Sequence, residues 1–265
     1  MADTHTTDAP LVFAAAPYLN AAPLTEGFRA RTDVCLVTDV PSRLARHVMC
    51  GEADVGLVPV VDYIFTPELA VLGELGVGAD GPVSSVLLRC RAPVADVRAV
   101  AADPASHTSN LLAQLLLRTQ LGSGGIVRRD VKQGEGDGDV VIGDRALAVS
   151  SEGGVTVYDL ADLWKTMTTL PFVFAVWACR RDNPRIPQLA AAARESFAVG
   201  AAAMDTLAAR FAARLDLPVA VCRDYLQVRI RYHVGATERE AVARFEQLLR
   251  AHDLAPKVSL WAEEQ

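Results

Sequence analysis

Lysine is nearly absent from this chain. Of 26 basic residues in 265, only Lys132, Lys165 and Lys257 are lysines, and the arginines are scattered. With a net charge of −6 and no basic stripe, neither nucleic acid nor an anionic membrane surface is expected as a partner. Long apolar runs are missing too. The longest uncharged stretch, "LPFVFAVWAC", is about half of what a membrane span requires. The opening segment, "MADTHTTDAPLVFAAAP", lacks the basic start and long apolar core of a signal peptide. Cys35, Cys50, Cys90, Cys179 and Cys222 are odd in number and far apart, which predicts buried free thiols in a reducing compartment. The expectation is a cytoplasmic protein.

Common catalytic signatures are missing as well. The sequence has no GxGxxG after a strand, no Walker loop, no GxSxG, no HExxH and no CxxC. His5, His47, His107, His233 and His252 are dispersed, with no pair at metal-ligand spacing. No nucleotide, flavin or metal is therefore expected as a cofactor.

What is present is a β-loop-helix-β rhythm. "LVFAAA" (11–16), "DVCLVTDV" (33–40) and "ADVGLVPVVDY" (53–63) read as strands of a parallel sheet, whose carboxyl ends carry ligand-binding loops. Ser42 reads as the N-cap of a helix that Gly51 stops. "SSVLLRC" (84–90), "VRAVAAD" (97–103), "GIVRRDV" (125–131), "GDVVIGDRALAVS" (138–150) and "PFVFAVWACR" (171–180) read as further strands. After Asn183-Pro184 comes an Ala-rich helix broken near Gly200. A last helix follows, with Thr237 as cap and Glu240 closing a capping box. Strand-rich halves with a discontinuous first part fit an α/β, two-lobed plan like that of periplasmic-type binding proteins, which close around a small molecule. Residues 1–92 plus 178–265 are expected in one lobe and 93–177 in the other.

Chemistry-bearing groups cluster at strand ends and are mostly neutral. Asn20 in "PYLNAAP" either orients a hydroxyl or ether, since an amide both donates and accepts, or forms an Asx turn. Ser106, Thr108 and Ser109 in "DPASHTSN" offer hydroxyls beside the free N–H groups of a helix start. Capping alone would explain one of them. His107 reads as a solvated loop residue. Ser85 looks toward a cleft between lobes, Asp144 in "IGDRAL" reads as an N-cap carboxylate, and Trp164 and Trp177 read as packing. Spacing alone points to a small-anion site between two lobes.

Six segments carry a resemblance in order and spacing: "PYLNAAPL", "PSRLARHVMCGEADVGLVPVVDY", "SVLLRC", "DPASHTSNLLAQLLL", "VIGDRAL" and "DLADLWKTMTTLPFVFAVWA". From Leu11 to Arg180, and more weakly beyond, the chain resembles the MqnA family of chorismate dehydratases, which open the futalosine route to menaquinone. The sister MqnD family ranks second. The resemblance implies a class II periplasmic-binding-protein-like fold, each lobe a mixed sheet flanked by helices, working as a cytoplasmic hydro-lyase. It implies Asn20 as the catalytic residue, with Tyr18, Ser85, Ser106, Thr108, Ser109, Asp144 and Thr168 on a dicarboxylate substrate, chorismate. The family pattern offers no general base, so the substrate's own enolpyruvyl carboxylate is expected to take the ring proton. Three positions depart from that pattern. Ala22 stands where a basic residue is common, His107 where Arg is common, and Thr169 where Gly is usual.

A non-catalytic anion sensor on the same fold is the competing expectation, because fold alone does not give function. An MqnD-like cyclase would depend on a histidine base, for which His107 is the only placed candidate.

Overall fold

The computed structural model describes residues 9–149 and 154–262. His5, Ser150 and the first eight residues of the opening segment lie outside them.

Among the described residues eleven strands form two sheets. The first has the order β11(Ile230–His233)-β4(Leu69–Ala79)-β10(Phe172–Arg180)-β3(Val55–Pro59)-β1(Leu11–Ala15)-β2(Val34–Thr38). The second has the order β7(Ile126–Arg128)-β6(Ala99–Ala101)-β8(Gly138–Ile142)-β5(Val86–Cys90)-β9(Thr156–Asp159). As the βαβ rhythm predicts, β1 runs parallel to both β2 and β3. The long strands β4 and β10 then add antiparallel pairs. In the second sheet β6 runs parallel to β7 and β8, while β5 runs antiparallel to β8 and β9, so each sheet is mixed. β3 is buried at every position, as a strand covered on both faces must be.

Strand pairing moves the expected boundaries. β5 pairs with β8 and β9 in the second sheet, and β10 pairs with β3 and β4 in the first. The chain therefore changes sheet at residues 80–85 and again at 169–171, not at 92/93 and 177/178. Asp159 pins the first crossover and caps the helix Leu160–Thr168. Its Oδ2 accepts from the N–H groups of Val83 (2.9 Å) and Ser84 (2.6 Å), and its Oδ1 from those of Ala161 and Asp162. Ser84 is held at a φ of +63°, which turns the chain so that Ser85 points the other way.

Several local expectations change. β4 has no apolar/polar alternation to announce it, because Gly73, Gly76 and Gly78 interrupt it. Gly76 and Gly78 are required, because Cβ atoms there would stand 2.5 Å from the Ala175 carbonyl oxygen and 2.8 Å from that of Phe172. The segment expected as strand 138–150 ends at Ile142 and turns through Gly143 into the short helix Asp144–Leu147. Ser42 is not a cap. Pro41 is the first helical residue after Val40, and the Ser42 hydroxyl donates to the Pro104 carbonyl (3.2 Å). The last long helix starts at Ala236, where Glu238 accepts from the Gly235 N–H (2.9 Å), so Thr237 and Glu240 do not form the box. The Ala-rich helix breaks at Ala203, after Ile186–Ala202. Gly200 instead lets it pass Pro23, whose carbonyl oxygen would stand 2.0 Å from a Cβ.

Trp164 and Trp177 are fully buried. Trp164 donates its indole N–H to the Pro171 carbonyl (2.9 Å), and Trp177 meets the Phe13 ring edge-on. Both are packing. All five cysteines are free, but Cys35 and Cys50 are exposed, contrary to the expectation that all are buried.

Candidate active site

The carboxyl ends of β1 and β3 in the first sheet face the start of β5 and the end of β8 in the second across a cleft. Its walls are mainly apolar, including Leu44, Leu57, Val77 and Phe174. Its polar groups are the side chains of Tyr18, Asn20, Ser85, Ser106, Thr108 and Ser109. Six of the eight residues expected at the site therefore meet here.

The other two lie outside. Thr168 ends the helix Leu160–Thr168, donates to the Trp164 carbonyl (2.9 Å) and accepts from the Leu170 N–H (3.2 Å). Asp144 follows the cleft residue Gly143 but is turned away and caps nothing. Its Oδ1 accepts from the Leu19 N–H (2.8 Å) and its Oδ2 from Arg214 (2.7 Å), so it ties the end of β8 to the loop after β1. Burial pushes its carboxyl above the ordinary aspartate value, against the Leu19 N–H and Arg214.

The loop between β6 and the helix His107–Thr119 is held from within. Asp103 is fully buried and accepts from the N–H groups of Ala105 (3.0 Å) and Ile142 (3.2 Å) and from Arg145 (2.7 Å). Asn110 reaches back to the Asp103 N–H and carbonyl. Ser106 is the N-cap and accepts from the Ser109 N–H (3.1 Å). The question of cap or ligand contact thus has both answers: Ser106 caps, while Thr108 and Ser109 face the cleft with it.

The hydroxyls share a polarity. Thr108 Oγ1 accepts from the Val61 N–H (3.3 Å), Ser109 Oγ accepts from the Ser106 hydroxyl (2.9 Å), and Ser85 Oγ accepts from the Tyr225 phenol (2.7 Å). Each is satisfied as an acceptor by protein, so each keeps its own proton to donate. Donors without charged side chains suit an acceptor-rich anion such as a carboxylate.

Tyr225 was not visible to sequence reasoning. It stands in a π-helical turn, Tyr225–Arg229, far along the chain from Ser85, and no local pattern marks it. His107 was misread as solvated. It is buried, with Nδ1 2.9 and 3.1 Å from the carboxylate oxygens of the fully buried Asp62. It borders a separate cavity with Asp103, Arg129 and Lys132, not the cleft. Ala22 faces a neighbouring pocket that already holds Arg29, Arg210 and Arg214. Thr169 has a left-handed φ of +62°, which is why glycine suits that position.

Among the described residues no group of three His, Cys, Asp or Glu side chains is placed to hold a metal ion, and no helix is long and apolar enough to cross a membrane. The menaquinone-biosynthesis family model matches residues 11–251. The chain belongs to the menaquinone-biosynthesis family. Two relatives accord with that family assignment. A chorismate dehydratase of Thermus thermophilus is 32% identical, covering 91% of this chain and 95% of its own. One of Campylobacter jejuni is 27% identical, covering 90% and 93%. The family fold extends to more distant structures. A protein of Archaeoglobus fulgidus superposes with a TM-score of 0.74 at 17% identity, covering 94% of this chain and all of its own. The alkanesulfonate-binding protein SsuA of Xanthomonas axonopodis does so with 0.66 at 18%, covering 96% and 97%. Those likenesses establish the two-lobed, periplasmic-binding-protein-like fold.

Proposed function

We propose that this family member is a cytoplasmic chorismate dehydratase, a carbon-oxygen lyase. It converts chorismate to 3-[(1-carboxyvinyl)oxy]benzoate in the futalosine route to menaquinone. The observation that carries this reading is the row of protein-satisfied hydroxyls from Ser85, Thr108 and Ser109 around one cleft with Asn20. The naming of two curated relatives as chorismate dehydratases supports it.

Chorismate has two carboxylates, a ring hydroxyl and an enol ether. Loss of the C3 proton sends an electron pair through the diene toward the ring carboxylate, and departure of the C4 hydroxyl leaves an aromatic ring. The drive lies in the substrate, so the protein supplies orientation and a preorganised place for charge. Ser106, Thr108 and Ser109, with the N–H groups at their helix start, hold one carboxylate. Asn20 meets the ring hydroxyl or ether oxygen, Ser85 assists a second group, and Tyr18 closes the edge. The enolpyruvyl carboxylate takes the C3 proton, because no side chain of the cleft is a base of suitable strength.

The test is to incubate the protein with chorismate, without added cofactor or metal, following loss of the diene absorbance and the product mass. Loss of one water is expected, and Asn20→Ala should lower kcat far more than it weakens binding. Thermal stabilisation by chorismate with no turnover would overturn the reading in favour of an anion-binding protein.

A further inference from the structure

A serine hydroxyl carries one proton and rotates freely, so by itself it offers a ligand either a donor or an acceptor. Ser85 is denied that freedom. The Tyr225 phenol donates into its Oγ at 2.7 Å. Tyr225 is 2% exposed and does not line the cleft. It stands behind Ser85, and its other side borders a different pocket with Ser84 and Asp159.

Resting on the dehydratase reading above, we propose that Tyr225 is a positioning residue for the elimination: by filling the acceptor side of Ser85 it aims the Ser85 proton into the cleft. In the elimination the C3–H pair moves through the diene toward the ring carboxylate and returns to complete the aromatic ring as the C4–O bond breaks, and the oxygen leaves with that bond's electrons. Negative charge therefore grows on the departing oxygen. A Ser85 hydroxyl fixed as donor stabilises that charge, whereas one rotated to present its lone pairs opposes it. The proton taken from C3 and the departing hydroxyl together make the released water, so Tyr225 and Ser85 end the cycle unchanged.

Burial holds the Tyr225 phenol well above the ordinary tyrosine range, although Ser85 and Asn20 pull the other way. The phenol accordingly stays protonated at working pH and acts as a permanent donor. Its place in a π turn fits this role, because such turns are frequent at functional sites.

Tyr225→Phe removes the phenol oxygen and keeps the ring. Wild type, Tyr225→Phe, Ser85→Ala and the double variant are compared with chorismate under saturating and limiting conditions. Tyr225→Phe is expected to lower kcat about tenfold or more with little change in KM. It should cost almost nothing further in the Ser85→Ala background, because it acts through that serine. Wild-type kcat in Tyr225→Phe, or an undiminished loss in the Ser85→Ala background, overturns the proposal. Wild-type kcat in Ser85→Ala overturns it too, even if Tyr225→Phe fails to fold. Absence of turnover in the wild type is a separate result: it removes the dehydratase reading, and this role with it.

Discussion

The ring of Tyr18 lies directly against the backbone of Gly143. A Cβ at 143 would stand 3.0 Å from both Cδ2 and Cε2 of that ring. Gly143 has a φ of 64° and a ψ of −147°, a region essentially reserved for glycine. Next to it, Asp144 accepts from the Leu19 N–H. The loop after β1 and the end of β8 are thus joined at two consecutive positions, one by van der Waals contact and one by a hydrogen bond. This seam forms one edge of the cleft.

Gly143→Ala is expected to strain the backbone and displace the Tyr18 ring together. The backbone alone costs about 1–3 kcal/mol. Chemical denaturation should show the loss, and KM for chorismate should rise because the edge no longer closes. An unchanged midpoint and unchanged KM would mean that the seam does not matter.

His107 gives the opposite kind of prediction. It is locked to the buried Asp62 and does not line the cleft, so it has no part in proton transfer. His107→Ala leaves a buried carboxylate without its imidazole, a loss of about 3–5 kcal/mol. Protein that remains folded should keep its kcat. Abolished turnover in folded His107→Ala, with Asn20→Ala still active, would instead point to a histidine-based cyclase.

Much of this was legible in the sequence because it is local. The parallel β1, β2 and β3 follow from apolar runs, and Asn20, Ser85, Ser106, Thr108 and Ser109 stand at strand ends where such folds place ligands. What stayed hidden depends on distant partners. Tyr225 reaches Ser85 across 140 residues, and Asp144 looks like a cap until Leu19 and Arg214 occupy its two oxygens. Thr168 was expected at the site only from the family resemblance, and nothing local reveals that its hydroxyl serves its own helix end. β4 escaped because Gly76 and Gly78 answer to the close approach of β10, and Gly76 also to Val234, which no local pattern records.

Thr169 supplies a stabilising prediction. It closes the helix Leu160–Thr168 with a left-handed backbone at φ 62°, which costs a residue with a Cβ about 1–2 kcal/mol. Thr169→Gly removes that strain and should raise stability by about 1 kcal/mol, part of the gain being lost to the freer unfolded chain. Because Thr169 does not line the cleft, kcat should be unchanged. A fall in melting temperature would show that its side chain contributes more than its backbone costs.

Ser106 tests the double role of the loop after β6. Its hydroxyl caps the helix and donates to Ser109. Ser106→Ala should cost about 1 kcal/mol of stability and also raise KM, because Ser109 loses the neighbour that fixes its proton. Ser106→Gly restores most of the capping preference, at a cost of a few tenths of a kcal/mol. It should nevertheless keep the raised KM. If KM recovers along with stability in the glycine variant, the hydroxyl serves only the helix.

Asp144 gives the protein an unusual pH response. Burial raises its carboxyl above the ordinary aspartate value, and the Leu19 N–H and Arg214 only partly oppose that. The folded chain therefore binds this proton more tightly than the unfolded chain does. The stability this group contributes is fully present below its unfolded value and is lost as pH rises through its folded value. An aspartate whose ion pair outweighed its burial would behave in reverse. Thermal melts of wild type and Asp144→Asn, taken from neutral to mildly acidic pH, should show the wild type gaining on the variant as pH falls. If the wild type instead loses ground toward acid, the pair with Arg214 dominates, and the seam between the two sheets is held by charge more than by the neutral hydrogen bond to Leu19.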